Sequence, residues 1–289
     1  KAFERAGFKN AVQAIVPDDT LDVEGDDMRY SVLTYAASEK ANAMGPSTLD
    51  PRTGEILEAD IIWWHNVQSL ISEWIVVQTG AVDSRARSLE LPIELIGDAV
   101  RFVACHEVGH SLGLRHNMMA SAAYPTDSLR SETFTSRMGG TSASIMDYAR
   151  FNYVAQPGDG VKIMSPNIGP YDFMAIEWGY RWYPAGTNED EVLAAFLAKH
   201  QGKEYRYSET QQQRSAVDPR ALSEDLGDDP IKSARLGIEN LKRVMPHLID
   251  WTRNNKPGQN YDEAAGLYSA VIYQWTLYLY HVMANIGGI

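Results

Sequence analysis

Apolar residues recur at helical spacing along residues 65–78 (HNVQSLISEWIVVQ), 91–114, 230–251 and 261–284, which predicts amphipathic helices over those four stretches. Residues 3–12 share the spacing and read as a short first helix. RYSVLTYAA (29–37) has the β-branched and aromatic content of a strand, and 14–16 reads as another that ends at Pro17. Within 42–64, DPRTG (50–54) supplies the Pro and Gly of a turn between two extended runs, so a hairpin is expected there, with one strand at a sheet edge. Pro92 near the start of the 91–114 pattern and Gly113 near its end match the usual asymmetry of helix termini. Residues 115–185 are rich in Gly, Ser, Pro and aromatics and carry one helix pattern, 169–180; irregular backbone of that length is usually functional. Thr187 with Asp190 predicts an N-terminal cap for a helix over 191–200, and the acidic stretches 18–27 and 207–229 read as exposed loops. The expected fold is α+β, in three parts: a sheet-and-helix segment 1–114, an irregular segment 115–185, and a helical extension 186–289.

Composition narrows the function classes. Of 289 residues 44% are hydrophobic, enough for a sizeable core. Lys and Arg number 26 against 38 Asp and Glu, a net charge of −12 with no basic run, so a nucleic-acid partner is not expected. Cys105 stands alone and rules out an intrachain disulfide. The apolar stretch 264–289 is interrupted by Ser269, Gln274, Thr276, His281 and Asn285, so it reads as a packed helix, not a membrane span. No signal-peptide pattern is visible at Lys1.

The chemistry is concentrated in HEVGHSLGLRHN (106–117), which holds three of the seven histidines. On a helix, residues four apart share a face, so His106 and His110 can offer nitrogens to one ion at about 2.0–2.1 Å. Glu107 then lies beside the ion as a general base. Gly113 and His116 complete H-E-x-x-H-x-x-G-x-x-H. A left-handed glycine ends the helix sharply and lets the chain bring His116 back to the same ion. Three histidines and an open fourth position predict a catalytic Zn2+ centre.

That extended motif resembles the metzincin zinc endopeptidases, and SIMDY (144–148), 30 residues after His116, looks like the clan's methionine turn. The resemblance makes Met146 the structural methionine beneath the metal. Tyr148, two places on, resembles the tyrosine of astacins and serralysins, which approaches the metal or the reacting oxyanion. With SIMDYARFNYVAQPGD (144–159), LDPRTGEILEADI (49–61) and SEDLGDDPIKSARLGIENLKRVM (223–245), the chain is similar to the Met-zincin family of zinc-dependent metalloproteases from Bacteroidetes over nearly its whole length. This resemblance implies a metzincin fold, with a mixed sheet, a zinc helix and a mostly helical lower part, and an extracytoplasmic location: periplasmic, surface or secreted. It also implies a strand before the first helix, whereas Lys1 stands at that helix. The expected activity is hydrolysis of peptide or protein substrates; the alternative is an inactive zinc-containing binding or surface-assembly module, against which Glu107 argues, since a structural site needs no base.

Further expectations concern the surroundings. Met44, Gly45, Pro46 and Ser47 are the candidate edge for an extended substrate. Asp147 is a candidate to orient a zinc histidine. Asp218, Glu224, Asp225, Asp228 and Asp229 form a candidate calcium site. Asp98 reads as an ion-pair or solvent-facing residue, and His65, His200, His247 and His281 as structural or surface residues. Cys105 reads as a buried free thiol, and Tyr268, Trp275 and Tyr278 as core.

Overall fold

The computed structural model describes residues 1–16, 24–25, 27–209, 218–254 and 257–286. It is an α+β arrangement in which small sheets precede a set of packed helices. Strand β1 (Leu33–Ala36) runs parallel to β5 (Ile61–Trp64), and β2 (Ala43–Met44) pairs antiparallel with the other side of β5, giving the order β1-β5-β2 with β2 at an edge. Strands β3 (Ser47–Leu49) and β4 (Ile56–Ala59) form the expected hairpin. Its turn is closed by the Gly54 N–H on the Asp50 carbonyl at 2.8 Å, with Gly54 at φ +77°. Asp60 separates β4 from β5, its carboxylate accepting the Val32 N–H at 2.8 Å, so one extended run serves two sheets.

Helix α2 (Val67–Thr79) is the pivot of the core. Ile71 and Ile75 pack with Ala99 of α3 (Ile93–Ser111) and Phe151, while Val76 and Val77 join Leu241 of α7 (Pro230–Val244) and Leu267 and Val271 of α9 (Asp262–Met283). A helix covered on two sides has almost no polar face, which explains why Ile75–Thr79 are all buried. Its buried Gln78 donates to Gln274 Oε1 at 3.0 Å and accepts the Phe151 N–H at 2.9 Å, satisfying polar groups that water cannot reach. Asn240 of α7 donates to the carbonyls of Tyr153 and Ala155 and so ties the irregular middle segment to the C-terminal helices. No helix among the described residues is long and apolar enough to cross a membrane.

Several expectations are corrected. The first helix, α1, covers only Ala2–Arg5, because Gly7 (φ +98°) and Asn10 (φ +51°) leave helical space. No strand forms at 14–16, and the expected loop at 18–27 lies mostly outside the described residues, as do 210–217 of the later loop. An additional helix, α4 (Glu132–Met138), is capped by Ser131 and stopped by left-handed Gly139. Helix α5 (Pro170–Tyr180) is as expected. Asn188, not Thr187, caps α6 (Glu189–Ala198), since its side chain accepts the Glu191 N–H. The run over 230–251 breaks after Val244 into a 3-10 turn, Met245–His247, followed by α8 (Leu248–Thr252); Pro246 has no N–H to continue the ladder. On α9 Tyr278 is buried, but Tyr268 and Trp275 face outward.

Helices α7 and α9 cross at Gly237, where an added Cβ would lie 2.6 Å from Tyr278 Cε2 and 2.8 Å from Tyr153 Cδ2. Both rings are fully buried and have no room to retreat. Gly237→Ala should therefore lower the unfolding free energy by about 1–3 kcal/mol through overpacking, despite alanine's better helix propensity. Thermal melts check this, and an unchanged or raised melting temperature would refute the tight crossing.

Candidate metal centre

His106 and His110 lie one turn apart on α3, and the helix ends in the turn that returns His116. The Gly113 N–H reaches the His110 carbonyl at 2.9 Å and the Leu114 N–H reaches the Gly109 carbonyl at 3.0 Å, with Gly113 at φ +84°. This is a Schellman closure, in which the left-handed residue is best a glycine. His110 Nε2 then lies 3.1 Å from both His106 Nε2 and His116 Nε2. All three histidines offer ligand atoms within 4.8 Å of one another.

The tautomers make this convergence informative. His106 Nδ1 faces the Ile145 carbonyl at 2.8 Å, and His110 Nδ1 faces the Leu114 carbonyl at 2.9 Å. A carbonyl only accepts, so each Nδ1 carries the hydrogen and each Nε2 presents a bare lone pair. Burial pushes His106 down to about 3 and His116 to about 4, so both are neutral. Two bare lone pairs at 3.1 Å repel unless a cation lies between them. Nitrogens about 2.0–2.1 Å from one tetrahedral ion are about 3.4 Å apart, so the residues fit a Zn2+ centre.

Glu107 is buried beside the histidines, and burial pushes its carboxyl up to about 7, opposed by a hydrogen bond from the Gly45 N–H. Gly45 follows β2 and presses on α3; a Cβ there would be 3.0 Å from the Glu107 carbonyl oxygen. Met44 ends the edge strand, Gly45 and Pro46 link it to β3, and Ser47 begins β3. Tyr148 lies beside the histidines, its ring centroid 5.4 Å from that of His106 and 4.6 Å from that of His116.

Beneath the histidines, fully buried Met146 packs with Phe102. An added Cβ on Gly109 would lie 2.2 Å from Met146 Sδ, so Gly109 makes room for the methionine. Asp172 of α5 clasps the turn: its carboxylate accepts the Ser144 hydroxyl at 2.5 Å and the N–H groups of Ile145 and Gly169, each at 2.8 Å. Asn117 holds the other side, its N–H on the Met146 carbonyl and its side chain bridging Arg206 and Ser208. Sequence reasoning missed Gly109, Asp172 and Asn117. A glycine inside a helix and an acid three residues after Gly169 at a helix start were the available signals.

Asp147 does not take the orienting role expected of it, since backbone carbonyls serve His106 and His110. Its Oδ2 accepts the Ser121 N–H at 2.6 Å, while the Ser121 hydroxyl donates to Asp225 Oδ1 at 3.0 Å. The second oxygen of each carboxyl, Asp147 Oδ1 and Asp225 Oδ2, is buried without a partner. Burial pushes Asp147 up to about 7, and burial together with Asp147 raises Asp225 well above the carboxylate range. The expected calcium cluster does not form. Asp218 pairs with Arg220, Glu224 with Arg150 and Asp225 with Ser121; Asp228 accepts the Thr126 N–H, and Asp229 caps α7.

The remaining candidates are structural. Asp98 pairs with Arg101 at the surface, His65 contacts the Tyr35 hydroxyl, and His200 bonds the Phe196 carbonyl. His247 stacks on Trp251, and buried His281 bonds the Ser223 carbonyl. Cys105 is half-buried, not fully buried, and burial raises its thiol.

Two predictions follow from this framework. Asp172→Ala leaves three buried donors without an acceptor at about 1–3 kcal/mol each, so unfolding free energy should drop by at least about 3 kcal/mol. Metal affinity, read by competition with a chromophoric chelator, should fall about tenfold or more. Acids with raised folded pKa contribute stability that is lost as pH rises from about 4 through about 7, because the native state keeps protons that the unfolded chain releases. Depressed histidines act with the opposite sign below about 6.5, so the carboxyl contribution is read as a difference between proteins. The melting temperature of Asp225→Asn should rise relative to the parent between pH 5 and 8; parallel curves would count against a proton-holding pair.

A model of the Met-zincin family matches residues 88–289, more than half of the chain, and takes in all three histidines, Met146 and α5 through α9. No curated protein and no solved structure matches the chain. With its three-histidine centre and buried methionine turn, the chain belongs to the Met-zincin family.

Proposed function

We propose that this protein is a zinc-dependent endopeptidase with a metzincin-type catalytic module. The observation that carries the reading is the convergence of three imidazole nitrogens, with a base on the same helix and a phenol beside two of the rings. Segment 1–114 contributes the edge strand, the base and two ligands, 115–185 the third ligand and the methionine turn, and 186–289 the brace behind them.

His106, His110 and His116 would hold Zn2+, which in such a centre is a Lewis acid for both water and the scissile carbonyl. Glu107 takes a proton from the attacking water and returns it to the leaving amine. Its carboxyl, raised toward neutrality by burial and fixed by the Gly45 N–H, suits both transfers. Tyr148 donates a hydrogen bond to the oxyanion as the carbonyl becomes tetrahedral. Among the described residues β2 is paired on one side only, and its other side offers main-chain groups to an extended peptide. We place the enzyme outside the cytoplasm, a reading supported only by its resemblance to the Met-zincin proteases.

Glu107→Gln should retain the metal while hydrolysis of a mixed peptide library falls by about 10²-fold or more. His116→Ala should lose the metal as well as the activity, and a chelator should silence the parent reversibly. Elemental analysis beside the cleavage assay reads both, and a Glu107→Gln variant as fast as the parent would overturn the mechanism.

A further inference from the structure

A cavity of about 170 Å³ opens directly beside Glu107 and His106, between α2, α3 and the residues after the methionine turn. Leu70 and Trp74 from α2 and Phe102 and Val103 from α3 form the apolar part of its wall, and Glu107 and Tyr148 are among its polar groups. Among the described residues, the one cation lining it is Arg150. The guanidinium carbon lies 4.0 Å from the Trp74 ring centroid and 4.8 Å from that of Tyr148, so two aromatic faces fix its position. One terminal nitrogen donates to Glu224 at 3.0 Å, and both side chains of that pair are largely buried. Arg150 Nε, however, is buried with no partner.

The backbone singles out the same two residues. Among the described residues, only Asn10, Arg150 and Glu224 have positive φ without being glycine, at +51°, +55° and +65°. Left-handed backbone is unfavourable for long side chains, and such strain gathers where a side chain must be presented at one spot. Both partners of one ion pair adopt it here, and Arg150 of that pair lines the cavity beside Glu107.

We propose that Arg150 is a specificity-determining residue that selects a substrate side chain ending in a carboxylate, at a position flanking the scissile bond. The inference rests on the endopeptidase reading and names the substrate class for it. The apolar part of the wall takes up the aliphatic stem of a glutamate, and its carboxylate meets the Arg150 guanidinium that lines the cavity. A leucine fills the same wall but brings no charge to the guanidinium. A lysine brings like charge against the guanidinium. Glu224 already neutralises part of the Arg150 charge, so it moderates the selection.

The test is a peptide library varied at both positions flanking the cleavage site, with the zinc-loaded parent, Glu224→Gln, and the double variant Arg150→Met/Glu224→Gln, which leaves no unpaired carboxylate behind. The quantity read is the kcat/KM ratio of glutamate to leucine within each protein, so a general loss of activity or of folded protein cancels. The parent should favour glutamate at one flank by about tenfold or more. Glu224→Gln should raise the ratio several-fold, and the double variant should bring it to about one or below. A parent that cleaves leucine and lysine peptides as well as glutamate peptides, or a double variant with the parent's ratio, overturns the role of Arg150 and leaves the endopeptidase reading intact. If the zinc-loaded parent cleaves nothing beyond what Glu107→Gln does, both readings fall.

Discussion

Three imidazole nitrogens crowded together, with His110 Nε2 only 3.1 Å from each of the other two, are an unfavourable arrangement that the rest of the molecule has to enforce. Left free, the rings would turn and hydrogen-bond to water or to one another. Each Nδ1–H of His106 and His110 is instead fixed to a carbonyl, and each of those carbonyls is itself held. Leu114 is fixed by the Schellman closure at Gly113, and Ile145 by its own N–H on Asp172. The metal-binding geometry is therefore a property of a chain of hydrogen bonds, and a cation is the group that makes it favourable.

The parts of the site legible in the sequence are those that obey a local geometry. His106 and His110 follow from the helical repeat, Gly113 from the need for a left-handed residue, and His116 from the length of the returning loop. Met146 and Tyr148 are legible only through resemblance, because nothing in a single methionine or tyrosine announces its position. Asp172, Asn117 and the Arg150–Glu224 pair act across 27, 29 and 74 residues of chain and have no periodic signature. Gly109 is equally silent, since the methionine that requires a glycine there lies 37 residues away.

The expectations that fail share a cause. The acidic run near 224 reads as one cluster because its residues are neighbours in sequence, yet the backbone turns each toward a different partner. Asp147 reads as a partner of the histidines from adjacency to Met146, although its carboxylate points to Ser121 and Asp225. Helix 3–12 fails because apolar spacing persists through Gly7 and Asn10 while the backbone does not. Spacing reports which residues can share a face; it does not report whether the chain stays helical long enough to use it.

The network also explains why a three-histidine centre sits in so long a chain. Parts of the candidate site are braced by residues from later in the chain: His106 through Ile145 by Asp172, Tyr148 through Arg150 by Glu224, and the segment around Tyr153 by Asn240 of α7. Helix α2 then joins both halves, since it lines the cavity through Trp74 and packs on α7 and α9 through Val76 and Val77. Removing the C-terminal helices would expose the apolar side of α2 and release the Arg150–Glu224 pair together. The helical extension is thus coupled to the candidate site, because Glu224 and Asn240, which hold Arg150 and the segment around Tyr153, lie within it.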